Sequence, residues 1–350
     1  MYFGAAFPFV IAAVAIVALV LRNWRASDQP SWRSETLRVR VTEIRDEAVG
    51  IKSFRLEPAA SSMLPGATPG SHINVRLENG LVRQYSVCNF AEAPDHYRIA
   101  VKLEDISRGG SAAMHALRVG DIVEINAPRN NFELVENASK YLLFAGGIGI
   151  TPLLAMVRAL EGRGAGYHLH YFTRSPEHAA FHAELSAAEF AEKVSFHQGI
   201  EPNELSRLLS ELLGPASDGV QLYMCGPRPF MDAIERAAAG WPSAAIHREY
   251  FGADPSVLEG PREEFQVELA HSGLSFVVPA TASLLELLHR NGIEVASSCG
   301  EGVCGTCLTR VIEGEPDHRD SFLTESERKE GDGILVCVSR ARTAKLVLDL

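Results

Sequence analysis

The chain has 350 residues, which suits two or three domains rather than one, and 46% of them are apolar, enough for several separate cores. Its net charge is −11 and the 33 Lys and Arg are scattered, which argues against a nucleic-acid partner. The six Cys show no disulfide framework, as expected of a reducing compartment.

Residues Tyr2 to Leu21 carry no charge. At ~1.5 Å per residue they span close to the ~30 Å hydrocarbon core of a bilayer. Tyr2 and Trp24 flank the stretch, Arg22 and Arg25 follow it, and no Lys or Arg precedes it. The expectation is a transmembrane anchor over residues 1–22 and a polar tether over 23–34. By the positive-inside rule the N-terminus lies outside and the rest is cytoplasmic, a single-pass cytoplasmic-membrane location. A cleaved signal peptide is the rival, but its basic start is missing.

From Leu37 the pattern is strand-like. Leu37, Val39 and Val41 alternate with Arg38, Arg40 and Thr42, and similar runs follow at Ile73–Leu77 and Tyr97–Val101. Residues 35–137 are expected to form a small antiparallel β-barrel. Within it, Arg83-Gln84-Tyr85-Ser86 puts a cation, a flat ring and a hydroxyl on one strand, a set able to grip a flavin. Val101 and Lys102, at the end of another run, are counted with that site. Arg108-Gly109-Gly110-Ser111 precedes a helical run, Ala112 to Leu117, and backbone N–H groups there suit a phosphate. The alternatives are surface and packing residues on the strand and a plain N-cap at Ser111.

Residues 138–255 alternate strands and helices, expected to give an α/β unit with a parallel sheet. Tyr141–Ala145 is a short buried strand. Gly146-Gly147-Ile148-Gly149 follows and leads into a helix from Thr151 to Leu160. This is not a full G-x-G-x-x-G, so it suits either a pyrophosphate or merely a tight turn. A later run, Val220 to Met224, ends in Cys225-Gly226-Pro227, expected to line the same crevice or to be a turn with a buried thiol. The other lone cysteine, Cys88, is read as a small buried apolar side chain.

After a linker near 256–262, residues 263–350 are expected to form an α+β unit. It has a hairpin at Phe265–Leu269 and Leu274–Val278, a helix opened by the capping box Ser283…Glu286, and a last strand at Leu346–Leu350. Between them lie Cys299, Cys304 and Cys307, with Cys337 further on. The spacing C-x4-C-x2-C with a distant fourth Cys is the plant-type ligand set of a 2Fe-2S cluster. Zinc sites usually pair two C-x2-C knuckles, and here there is one.

The order barrel, dinucleotide unit, iron–sulfur unit resembles the phthalate dioxygenase reductase family, which includes the vanillate demethylase reductases. The resemblance covers residues from about 36 to 350. It rests on Arg83-Gln-Tyr-Ser-Val-Cys-Asn89, Ser107-Arg-Gly-Gly-Ser111, Ala127-Pro-Arg-Asn-Asn-Phe132, Ala145-Gly-Gly-Ile-Gly-Ile-Thr-Pro152, Cys225-Gly-Pro227, Glu249-Tyr-Phe251, Asp317-His-Arg-Asp320 and the four cluster cysteines. It implies a β-grasp ferredoxin domain, FMN in the barrel and NADH as donor. It also implies catalytic roles for Thr151, Cys225, Glu249 and Phe251, with Thr151 at the flavin or nicotinamide and the Phe251 ring shielding the flavin. Residues 1–34 do not match the family pattern.

NADH gives up two electrons together as hydride, whereas iron–sulfur centres pass them singly, and a flavin joins the two kinds of traffic. A plant-type cluster near about −400 mV can reduce most partner oxygenases. The expected function is electron transfer from NADH through FMN and 2Fe-2S to a Rieske-type oxygenase or demethylase. A second reading is a tethered reductase serving a membrane-bound desaturase, hydroxylase or quinone. A third is a redox-sensing scaffold, which would not sustain NADH-driven dye reduction.

Overall fold

The computed structural model describes residues 36–60, 63–105, 109–252, 262–297 and 299–350. The expected anchor and tether, Ser107 and Arg108, and nearly all of the expected linker lie outside them. Among the described residues no helix is long and apolar enough to cross a membrane.

The first unit is built from β1 (Leu37–Ala48), β2 (Ile51–Pro58), β3 (Ser71–Arg76), β4 (Val82–Ser86), β5 (Tyr97–Lys102), the short helix α1 (Gly110–Ala116), β6 (Ile122–Ile125) and β7 (Arg129–Asn130). Its strands run in the order β4-β3-β6-β1-β2-β5, with β7 on β3, and every pairing is antiparallel. Two bulges bend β1, and a bulge sharpens local twist. A bridge from Val87 to Ile99 brings the two ends of the sheet together. Period-2 alternation puts Val39, Val41, Phe54, Ile73, Val75 and Ile99 into one core while Arg38 and Arg40 stay exposed.

The second unit continues with β8 (Lys140–Gly146), α2 (Ile150–Gly162), β9 (Tyr167–Thr173), α3 (His182–Leu185), β10 (Val194–Gln198), α4 (Pro202–Leu213), β11 (Val220–Cys225), α5 (Arg228–Ala237) and β12 (Ile246–Glu249). The sheet is fully parallel in the order β10-β9-β8-β11-β12. The chain winds outward from β8 on both sides, so the switch point lies between the carboxyl ends of β8 and β11, where ligands bind in such sheets. Three glycines let those ends close up. A Cβ on Gly149 would sit 2.2 Å from the Cys225 carbonyl oxygen, and one on Gly226 would sit 3.0 Å from Gly146 Cα.

These two units share one hydrophobic core. Ile51, Cys88 and Ala100 of the barrel are buried with Leu143, Leu153 and Leu169 of the parallel-sheet unit. Beside that core, Arg98 donates to Glu47 (2.9 Å) and Glu184 (2.7 Å), and Glu184 also accepts from Arg158.

The third unit comprises β13 (Phe265–Leu269), β14 (Ser275–Val278), α6 (Leu284–Arg290), β15 (Leu308–Glu313), β16 (Pro316–Asp317), α7 (Glu325–Glu330), β17 (Gly333–Leu335), β18 (Arg340–Ala341) and β19 (Lys345–Leu348). The main sheet, β14-β13-β19-β15-β17, is mixed: β13 and β19 are parallel and the other pairs antiparallel. The Ser283 capping box forms, with both reciprocal bonds at 3.1 Å. A second box, Thr324…Glu327, opens α7, a helix the periodicity does not disclose.

Candidate functional site

The four cluster cysteines converge, each 3–8% exposed. They lie as two neighbouring pairs, Cys299 with Cys304 and Cys307 with Cys337. Among the described residues no three His, Cys, Asp or Glu side chains gather about a single metal-ion position. Two plus two thiols fit a two-iron core, which needs two protein ligands on each iron. The Glu301 amide donates to Cys299 Sγ (3.3 Å), and the Thr306 hydroxyl lies 3.1 Å from Cys304 Sγ. Gly302 and Gly305 both have φ near +70°, and a Cβ on them would run into Val338 at 2.6 Å and the Phe322 ring at 2.3 Å. Only glycine satisfies both demands.

A cleft of about 280 Å³ lies between β4, β5, the start of α1 and the start of α2. It gathers Arg83, Gln84, Tyr85, Ser86, Val101, Lys102, Gly110 and Ser111, eight of the expected flavin residues, together with Thr151 and Phe251. Gly110 lies flat against Arg83, whose Nε would be 2.5 Å from a Cβ there. Burial pushes the Tyr85 phenol up, against the opposing pull of Arg83, so it stays a neutral donor. Phe251 is 45% exposed, an apolar ring at the mouth with room for a flat partner. These features fit a flavin: Arg83 and the start of α1 would suit its phosphate, and the polar side chains and the Phe251 ring of the same cleft would suit its ring.

Some expected roles change in the folded chain. Gly109, at φ 89°, is the N-cap of α1, so Ser111 is not the cap; its hydroxyl instead accepts from the Glu104 amide at 3.2 Å. The Thr151 hydroxyl donates to the Ile148 carbonyl at 3.0 Å, which commits it to the helix start. Of Cys225-Gly226-Pro227 only Pro227 reaches a cleft wall. Cys225 is fully buried, its thiol pushed up by burial and by nearby Glu249, and Gly149 packs beneath it rather than facing the cleft. Glu249 sits beside Cys225 in the β11–β12 register and accepts a hydrogen bond from Ser86 at 3.2 Å. Burial pushes its carboxyl up to about 8, with the Ser86 bond opposing.

A second cleft, about 490 Å³, opens at the carboxyl ends of β8, β9 and β10. Gly146, Gly147 and Pro227 line it, as do Arg174, His178, His197 and Glu201. Lys102 and Ile148 belong to both clefts, so the two are contiguous. A dinucleotide lying across the switch point can therefore bring its redox ring to the flavin cleft.

The flavin cleft also adjoins the cluster. Val82, at the start of β4, packs with Cys299, Val303 and Cys304. On β3, Asn74 donates to the Cys304 carbonyl at 3.0 Å. Neither contact is visible in the sequence, because the partners lie more than 200 positions apart. The one available signal is the polar alternation of His72 and Asn74 on a strand otherwise facing the barrel core.

Three cofactor sites in series define a modular flavin and iron–sulfur reductase. Residues 38–134 match the oxidoreductase FAD-binding domain family and residues 267–342 the 2Fe-2S iron-sulfur cluster binding domain family. Vanillate O-demethylase oxidoreductase of Pseudomonas sp. (strain HR199 / DSM 7063) is 43% identical over 317 residues, 90% of this chain and all of that one. Phthalate dioxygenase reductase of Burkholderia cepacia is 40% identical over 319 residues, 90% of this chain and 97% of that one. A solved phthalate dioxygenase reductase, described as modular for electron transfer from pyridine nucleotides to [2Fe-2S], superimposes with TM-score 0.64 at 38% identity over 90% of this chain and 98% of that chain. The chain belongs to the phthalate dioxygenase reductase family. It is an oxidoreductase that carries electrons from a pyridine nucleotide through a flavin to a 2Fe-2S cluster, the reductase component of an oxygenase system.

Proposed function

We propose that the flavin is FMN, the donor NADH, and the acceptor a Rieske-type oxygenase or demethylase. The observation that carries this reading is the row of sites: a dinucleotide cleft sharing Lys102 and Ile148 with the flavin cleft, which in turn shares β4 with the cluster loop. Arg83 and the start of α1 hold the flavin phosphate, and Gln84, Tyr85 and Ser86 orient the ring. Glu249 steadies Ser86 beside the ring edge. Phe251 would shield the face of the ring that the nicotinamide approaches. The flavin supplies the conversion of a hydride into single electrons. Cys299, Cys304, Cys307 and Cys337 hold the cluster that passes them on.

We further propose that residues 1–22 anchor the chain in the cytoplasmic membrane, with the three units on the cytoplasmic side. The uncharged run Tyr2–Leu21 and the arginines after it support this. It favours an acceptor held at the same membrane, because tethering raises the partner's effective concentration. The test compares full-length protein with protein lacking residues 1–30. Heat-released flavin should chromatograph as FMN, and NADH should outperform NADPH in kcat/KM. The shortened protein should leave the membrane fraction with dye reduction intact. Stoichiometric FAD, a preference for NADPH, or a periplasmic protein with a cleaved N-terminus would each remove the corresponding part of the proposal.

A further inference from the structure

The iron–sulfur unit is held to the barrel by a joint unlike the one between the other two units. Among the described residues, one small apolar cluster joins the iron–sulfur unit to the barrel, Val82 with Cys299, Val303 and Cys304. Besides the Asn74–Cys304 bond, the joint carries Arg129 of β7, whose Nη2 donates to both carboxylate oxygens of Glu327 on α7, at 2.8 and 2.7 Å. The same guanidinium stacks over the Phe322 ring, 4.3 Å from its centroid. Two residues on, the Asn131 amide donates to the carbonyls of Ser321 (3.0 Å) and Phe322 (2.8 Å). Phe322 is the ring against which Gly305 of the cluster loop is packed, and the Ser321 amide donates back to Gly302 of that loop at 3.0 Å.

The contacts therefore run from the barrel, through Arg129 and Asn131, into segment 321–327, and on into the loop between the cysteines. Both Arg129 and Glu327 have side chains only 16–20% exposed. Removing one partner of a pair shielded in this way leaves the other charge uncompensated, which costs more than breaking a surface ion pair.

We propose that Arg129, with Asn131, is the positioning residue for transfer of one electron from the reduced flavin to the oxidised cluster: it fixes the cluster loop against β4 by gripping Glu327 and Phe322. Arg129 touches neither cofactor site; it acts through the distance between them. The inference rests on the flavin occupying the β4 cleft, and the hydride step reports on that assignment separately.

The test uses the holoprotein in stopped-flow single turnovers with NADH. Flavin reduction and cluster reduction are followed at their own wavelengths. Arg129→Lys keeps the charge but loses the flat guanidinium stacked on Phe322. Glu327→Gln loses the charge but keeps a group able to cap α7. Each should slow flavin-to-cluster transfer on the order of tenfold at low salt, because the transfer rate follows the fraction of molecules docked; the deficit of Glu327→Gln relative to wild type should shrink as salt rises, because only the wild-type ion pair is left to be screened. Hydride transfer to the flavin should stay at the wild-type rate. The double variant should be no slower than the worse single one, since both remove the same contact. Small-angle scattering of the oxidised variants should show a larger radius of gyration. If Arg129→Lys loses a cofactor, Glu327→Gln alone decides. Wild-type transfer rates in a fully loaded variant, or additive losses in the double variant, would overturn the proposal.

Discussion

Two glycines at the ends of one helix should respond in opposite ways to the same substitution. In Gly149→Ala the new Cβ would lie 2.2 Å from the Cys225 carbonyl oxygen, 2.4 Å from its carbon and 2.7 Å from the Gly226 nitrogen. Ordinary contact begins at 3.4 Å, so the ends of β8 and β11 must separate by about 1.2 Å. The obstacles are all backbone, and no rotamer can relieve them. Overpacking of this kind costs about 1–3 kcal/mol. The displaced atoms lead directly into Pro227, which lines the dinucleotide cleft, and a misplacement of about 1 Å can lower a positioned reaction ~100-fold. Gly162, inside α2 at its other end, has nothing within 4 Å of the place a methyl group would take and no positive φ. Gly162→Ala should stabilise by about 0.5–1 kcal/mol through helix propensity and a less flexible unfolded chain. The assay is thermal melting of both variants together with the stopped-flow rate of flavin reduction by NADH. A Gly149→Ala protein with wild-type melting temperature and hydride rate would refute the steric argument, as would a Gly162→Ala protein destabilised to the same degree.

Cys304→Ser should remove the 2Fe-2S EPR signal and visible bands while leaving flavin reduction intact; a normal cluster signal would contradict the ligand assignment. Glu249 has a folded-state pKa raised to about 8 by burial, so the stability of its neutral form is complete below the unfolded value, ~4.5, and is lost as pH rises towards 8. The melting temperature of wild type relative to Glu249→Gln should therefore fall between pH 5 and 9, and parallel curves would show that burial does not govern this carboxyl. Arg174→Ala should change kcat/KM for NADH and NADPH unequally, since Arg174 lines the dinucleotide cleft just after β9; equal changes would mean that specificity is set elsewhere.

What can be read from the sequence is what is local along the chain. The cysteine loop carries its ligand spacing in nine residues. Arg83-Gln-Tyr-Ser sits on one strand, and the strand–helix alternation from Tyr141 onward gives the parallel sheet directly. Gly149 shows where local reading stops. In sequence it is part of a phosphate turn, but its role is to let two strand ends meet across some 75 positions of sequence, which no spacing rule encodes. The Asn74–Cys304 and Arg129–Glu327 contacts are hidden for the same reason. Helix α7 escapes a reading by periodicity because its six residues, Glu-Ser-Glu-Arg-Lys-Glu, carry no apolar stripe; its capping box and charge pattern hold it instead.

The core shared by Ile51, Cys88, Ala100, Leu143 and Leu153 also has a consequence for cooperativity. Neither of the two N-terminal units can open without exposing apolar surface of the other, so they should melt together as one foldon. The iron–sulfur unit, joined mainly by polar contacts, owes its stability to its own sheet and to the thiolate ligands of its cluster. Calorimetry of the holoprotein should then resolve two transitions rather than three, and removing the iron should lower one of them while leaving the other near its original temperature.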